Sequence, residues 1–188
     1  MSLKNISSLF FLFVLITFVA CSTTKKTGAF TSATITNTEA KLDNGNIVII
    51  PGEWTLKSQN KITHQSYYTN KDSIVISISR NPMAKYPFHK VGMTDTTFLD
   101  AFYEWESNYY KSRKYEVNKM EIGPQSDYII WSVKGEDEVN ALLLYAAKDP
   151  DALNLSVLEP KNLTLIQQKG FLIQLYKDNT KETNTLKK

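Results

Sequence analysis

The sequence predicts an α+β domain, a twisted antiparallel sheet of about six to seven strands flanked by two main helices in an αβα sandwich. Three observations lead there. Strand-like runs joined by short polar links follow one another from residue 115 to 159. One stretch, 97 to 113, instead repeats its apolar residues at helical period, and a second helical run, 164 to 177, closes the domain. Strands segregated from helices, with links too short for parallel crossovers, put the helices on the faces of an antiparallel sheet.

In chain order, "NIVIIPGEWTL" (46 to 56) sets a β-branched run against Pro51 and Gly52, the pattern of a short strand ended by a turn. "ITHQSYYTNKDSIVISIS" follows, with strand-like residues on both sides of the polar turn "TNKD". Ile74, Ile76 and Ile78 alternate with Ser73, Ser77 and Ser79, which predicts a hairpin with one buried face. A loop with two prolines and a glycine, "RNPMAKYPFHKVGMTD", then leads into the first helix. There Phe98, Ala101, Phe102, Trp105 and Tyr109 fall within about 100° of arc at 3.6 residues per turn. Thr97 and Asp100 have capping-box spacing, and Arg113 and Lys114 suit the negative end of the helix dipole.

Four strand-like runs come next, "YEVNKMEI", "DYIIWSVKG", "EVNALLLYAAK" and "ALNLSVLE", joined by "GPQS", "GEDE" and "DPD". Between 139 and 147 both faces are apolar, Leu142 and Leu144 on one and Leu143 and Tyr145 on the other. A strand of that kind belongs at the centre of the sheet, with cover on both sides. The closing helix shows Thr164 and Gln167 at capping-box spacing and Leu165, Phe171, Leu172, Leu175 and Tyr176 on one broad face.

This element order over residues 46 to 177, with "PGEW" before the hairpin, "YPF" before a helix containing "FYEWESNYY", and "FLIQLY" at the close, resembles the PsbP and Mog-type fold. The resemblance implies an αβα sandwich of a binding or accessory kind, and an association of histidines with metals.

The amino end says where such a domain would live. "LFFLFVLITFVA" (9 to 20) is an unbroken apolar run after a single charge at Lys4, with the length of a signal-peptide core. At about 1.5 Å per residue it reaches roughly 20 Å, short of a hydrocarbon layer of about 30 Å. It ends in Val19 and Ala20 directly before Cys21, the chain's one cysteine. This junction resembles the lipobox of bacterial lipoproteins, in which the cysteine sulfur receives a diacylglyceryl group and the chain is cut just before it. Phe18 stands where that family usually has leucine. The expected organisation is a leader over 1–20, a lipidated Cys21 with a threonine-rich tether to 42, one domain over 43–178, and a disordered tail over 179–188. Ser22, in place of aspartate, resembles outer-membrane sorting and implies a domain facing the periplasm. The covalent lipid on Cys21 is the only cofactor expected, and the membrane the first partner. A net charge of +3 and the lack of basic clusters interleaved with aromatics argue against a nucleic-acid partner.

Chemistry is sparser. His64 and His89 are the only histidines. Zinc takes three or four ligands, and neither histidine has a cysteine or a second histidine at ligand spacing. His64 reads as a sheet-surface residue on the face of Ile62 and Tyr68, whereas His89 sits in the loop after "YPF" and is the better ligand-binding candidate. Glu104 and Glu106 point about 200° apart on a helix and cannot work as a carboxylate pair. Glu106 falls between the Phe102 and Tyr110 directions, where partial desolvation would raise its pKa. No Gly-x-Ser-x-Gly elbow, phosphate-binding loop or dinucleotide turn occurs. Tyr103 and Tyr110, with Leu99, form a second edge of the helix, about 120° from the main stripe, which either packs in the core or stays exposed. If exposed, Tyr103 and Tyr110 with Tyr86, Phe88 and His89 of the 83 to 90 loop make a contact surface for an envelope protein. The expected function is therefore a non-catalytic, lipid-anchored binding module. A ligand- or metal-binding module near His89 and a hydrolase with scattered residues are the alternatives.

Overall fold

The computed structural model describes residues 36–135, 140–158 and 162–180. The expected leader, the expected lipid site Cys21, the expected tether up to residue 35 and the expected tail from residue 181 lie outside the described residues. Nine strands and two α-helices follow in the order β1 (Asn37–Lys41), β2 (Ile47–Pro51), β3 (Thr55–Asn60), β4 (Gln65–Thr69), β5 (Val75–Pro82), α1 (Asp95–Ser112), β6 (Glu116–Ile122), β7 (Tyr128–Lys134), β8 (Asn140–Lys148), β9 (Asp151–Leu158) and α2 (Leu165–Thr180). Strands β3 to β9 build one antiparallel sheet in the order β3-β4-β5-β9-β8-β7-β6, while β1 and β2 pair separately.

The α+β class and the strand number agree with the expectation. The meander from β6 to β9 runs in sequence order, and β9 closes it against β5, pairing Val75 with Leu158 through to Pro82 with Asp151. β8 lies near the middle of the sheet and is buried from Ala141 to Ala147. Its Leu142, Leu144 and Ala146 join one core with α2 and β2, and its Leu143, Tyr145 and Ala147 join a second core under α1. Two apolar faces on one strand thus become two layers of packing, as parity along a strand requires.

Several boundaries and faces differ from expectation. The tether was expected to run to residue 42, yet 37–41 form β1, with Ala40 and Leu42 buried in the α2-side core. The short strand expected before the Pro51-Gly52 turn forms as β2, and past Gly52, whose φ of +94° suits glycine, residues 55–60 add a further strand, β3, that was not expected. Ser77 and Ser79 were expected on an exposed face but are buried, because β5 is an interior strand. Ser77 Oγ meets Ser156 Oγ of β9 at 2.7 Å, so each hydroxyl has a partner in place of water. The disordered tail was expected from 179, but α2 runs to Thr180 and Asn179 has a fixed role.

Both outer strands of the large sheet carry a bulge, at Leu56/Ser58 in β3 and at Lys119/Glu121 in β6, and a lysine sits in or beside each. Bulges and charges on edge strands oppose pairing with a further strand. At α2 the expected cap forms: Thr164 Oγ1 accepts from the Gln167 N–H at 3.3 Å, and the Thr164 N–H donates to Gln167 Oε1 at 2.9 Å. Leu165 was expected on the buried face of α2 but is 45% exposed, since burial begins only at Gln168.

Candidate functional site

α1 starts at Asp95, two residues before the expected position. Thr94 is its N-cap, accepting from the Thr97 N–H at 3.2 Å, so Thr97 is the recipient of the cap and not its source. At the other end Lys114 takes φ +66°, the Tyr115 N–H reaches Tyr110 O at 3.1 Å, and the Lys114 N–H reaches Lys111 O at 2.9 Å. This is a Schellman stop built on a lysine where glycine is usual.

The rotation of the helix between these caps decides the site. Phe98, Leu99, Phe102, Tyr103 and Ser107 are buried, whereas Trp105 is 46% and Tyr109 51% exposed. The buried arc is turned by roughly a quarter turn from the predicted stripe, at about 100° per residue. Tyr103 is therefore buried, and Tyr110 stays only partly exposed, so the two do not form one open edge. Tyr103 stands edge-on to Trp131 at 5.6 Å, with Lys119 Nζ over its other side at 4.5 Å. Tyr110 packs against Trp131 at 5.8 Å and Tyr115 at 5.7 Å.

The 83 to 90 loop does lie beside α1, as expected, but it spends most of its rings on packing. Tyr86 sits 4.7 Å from Phe102 and 5.5 Å from Phe98, while Phe88 lies 5.1 Å from Phe98 and 5.8 Å from Trp105. His89 is half-buried near Phe98, at 6.2 Å. Among the described residues, no three His, Cys, Asp or Glu side chains come together as a metal would need. His64 is not on a strand face. It occupies the turn between β3 and β4 with φ +55°, and its Nδ1 lies 2.8 Å from Asp43 Oδ2.

Turning the helix places Glu106 near the middle of the buried arc, facing polar groups of the sheet. Burial raises its pKa above the usual glutamate range, with the Tyr145 hydroxyl beside it partly offsetting that rise. Tyr145, fully buried on β8, has its own pKa pushed well up by burial and then by the Glu106 charge. The Glu106 carboxyl and the Tyr145 hydroxyl thus act on each other across the packed interface of α1 and β8. Burial raises Tyr86 to about 12, with Asn81 partly offsetting and the Glu106 charge adding; burial, followed by Glu106, also takes Tyr110 to about 12. Asn154, the β9 partner of Tyr145 in register, has a buried Oδ1 without a hydrogen-bond partner. A flat stack of Phe102 on Tyr145, 4.1 Å apart and 9° between planes, walls the group on one side.

The sequence pointed to Glu106 through its angular position, but not to Tyr145 or Asn154. No local signal marks those two, because strand register alone sets them opposite each other. A carboxyl of raised pKa beside a hydroxyl could hold or pass a proton. Alone it is not the nucleophile, base and oxyanion site that hydrolysis needs: the Ser107 hydroxyl beside it in sequence donates to Glu104 O. Elsewhere, a cleft of about 430 Å³ opens between β3, β4 and Leu158, with Lys57 and Asp72 on its rim and Tyr67 and Val75 inside. No family model matches the chain, and a search of curated proteins finds no relative.

Proposed function

We propose that this chain is a lipid-anchored domain of the bacterial cell envelope, held through Cys21 and acting as a non-catalytic, PsbP-like binding or accessory module for another envelope component. The observation that carries this reading is the junction itself, an apolar run over 9 to 20 ending directly before the chain's single cysteine. One acyl chain binds membranes only marginally, whereas the two or three of a lipoprotein make attachment effectively permanent. Ser22 behind the cysteine, in place of aspartate, supports placement on the outer membrane, facing the periplasm.

For the binding role, the supporting feature is the outer side of α1 next to the 86 to 89 loop. Trp105 and Tyr109 are about half exposed there, and Phe88 is partly so. Tyr86, His89 and Tyr110 are partly exposed beside this shelf, while the buried Tyr103 drops out of it. Aromatic side chains give large contact area for little entropy and often anchor protein interfaces.

Mass spectrometry of the protein extracted from its native membrane tests the anchor, with a triacylated or diacylated Cys21 as the amino-terminal residue expected. A free thiol at Cys21, or a leader still attached, would overturn it. A photoreactive group at position 105 tests the shelf: it should crosslink to one reproducible envelope protein, and a group placed at Lys57 should not. Equal crosslinking from both positions would count against the shelf.

A further inference from the structure

The cleft of about 430 Å³ beside β3 joins an apolar floor to two opposite charges. Strand register sets the floor: Tyr67 of β4 pairs with Ser77, two residues on from Val75 of β5, and Val75 pairs with Leu158 of β9, so Tyr67, Val75 and Leu158 share one face of the sheet. All three are half-buried and line the cleft, so each keeps apolar surface there for a ligand to cover. Lys57 is the extra residue of the β3 bulge, passed over where Leu56 pairs with Tyr68 and Ser58 with Tyr67, and a bulge re-aims the side chain it carries. Asp72 lies in the turn between β4 and β5, which Asn70 fixes: its Oδ1 accepts from the Asp72 N–H at 3.0 Å and from the Ile74 N–H at 2.9 Å. Both charged side chains line the cleft, yet no ion pair joins them, and neither pairs with any other charge among the described residues.

We propose that this cleft binds a small zwitterion with an apolar side chain, the class of the apolar α-amino acids and their dipeptides. The ligand carboxylate meets Lys57, its ammonium meets Asp72, and its side chain covers Tyr67, Val75 and Leu158. The cleft has the size of a small-molecule site, about 300–1,000 Å³. A simple anion would be drawn to Lys57 and repelled by Asp72, and a simple cation the reverse. A neutral apolar ligand would strip water from both charges and put nothing in its place, which is costly. A molecule carrying both charges satisfies both groups through charge-assisted hydrogen bonds, which are the stronger kind. The site rests on neither the lipid anchor nor the aromatic shelf of α1.

The test titrates the purified full-length chain with leucine and with leucyl-leucine, read by calorimetry and by the backbone amide resonances of Val75 and Leu158. N-acetylleucine, which lacks the ammonium, and leucinamide, which lacks the carboxylate, are the controls. At least one zwitterion should bind saturably, move both resonances, and bind about tenfold or more tightly than either control. Lys57→Met should weaken binding of the zwitterion but not of leucinamide, Asp72→Asn should weaken it but not binding of N-acetylleucine, and Trp105→Ala should leave all of it unchanged. No saturable binding of either zwitterion, controls that bind as tightly, unmoved resonances at Val75 and Leu158, or undiminished binding by both folded charge variants would overturn the proposal. A free thiol at Cys21, or failed crosslinking from position 105, would leave it standing.

Discussion

The side-chain amide of Asn179 binds the backbone of Ile49 on both sides: its Oδ1 accepts from the Ile49 N–H at 2.8 Å, and its Nδ2 donates to Ile49 O, also at 2.8 Å. One side chain at the end of α2 thus does what a neighbouring strand would do for β2. The same amide nitrogen also reaches Leu175 O at 2.8 Å. Arg80 of β5 donates to the Asn179 carbonyl, so the last turn of α2 is tied to both sheets.

Asn179→Ala should therefore destabilise the domain by about 1–3 kcal/mol, since it leaves a partly buried N–H and C=O without partners. Urea unfolding monitored by circular dichroism reads this directly. A chain ended after Asp178 should lose at least as much, and one ended after residue 181 almost nothing. Equal stability of the two truncated chains would show that the clamp carries no weight.

Stability should also depend on Glu106. Its folded pKa lies above the unfolded one because burial disfavours the charged form. The native state then binds more protons than the unfolded chain between those two values, so stability falls as pH rises through them. Glu106→Gln should remove that fall, leaving the variant more stable than the parent at neutral pH and closer to it in acid. Melting curves from pH 4 to 8 check the sign. A parent stability that rises with pH relative to the variant would contradict the burial of the carboxyl.

Tyr103 and Trp105, two residues apart on α1, should behave oppositely from what their sizes suggest. Tyr103→Ala removes a ring only 6% exposed and should cost about 3–5 kcal/mol. Trp105→Ala removes a half-exposed ring and should cost about 1 kcal/mol or less. Chemical denaturation of both variants decides the rotation of the helix: a larger cost at Trp105 would restore the stripe expected from periodicity.

Lys114 holds a left-handed conformation at the end of α1, φ +66°. Side chains with a Cβ pay roughly 1–2 kcal/mol there, which glycine avoids. Lys114→Gly should stabilise the domain by about 1 kcal/mol, read as a rise in melting temperature of a few degrees. A fall would mean that the lysine stem makes a contact worth more than the backbone strain.

Much of the fold was legible because it rests on local period and local chemistry. The alternation in "NALLLYAAK" places β8 between two cores, and Thr164 with Gln167 caps α2 where spacing said it would. β1 was not legible: "NTEAK" has one apolar residue, Ala40, and becomes a strand only because β2 pairs with it. For Glu106 the helical angle was enough to suspect burial. Its companions were hidden, since Tyr145 and Asn154 come from strands whose pairing no local pattern reports.

The chain's order of residues by itself determined the α+β class, the meander and the apolar run before Cys21, because periodicity, turn chemistry and run length act over a few neighbours. Only the tertiary structure decided which face of α1 is inward, that 37–41 and 179–180 belong to the domain, and that the Glu106 carboxyl lies beside the buried phenol of Tyr145. Those outcomes depend on contacts between distant segments. A helix with rings on two edges has two near-equal ways to pack, and the sheet and loop that meet it select one.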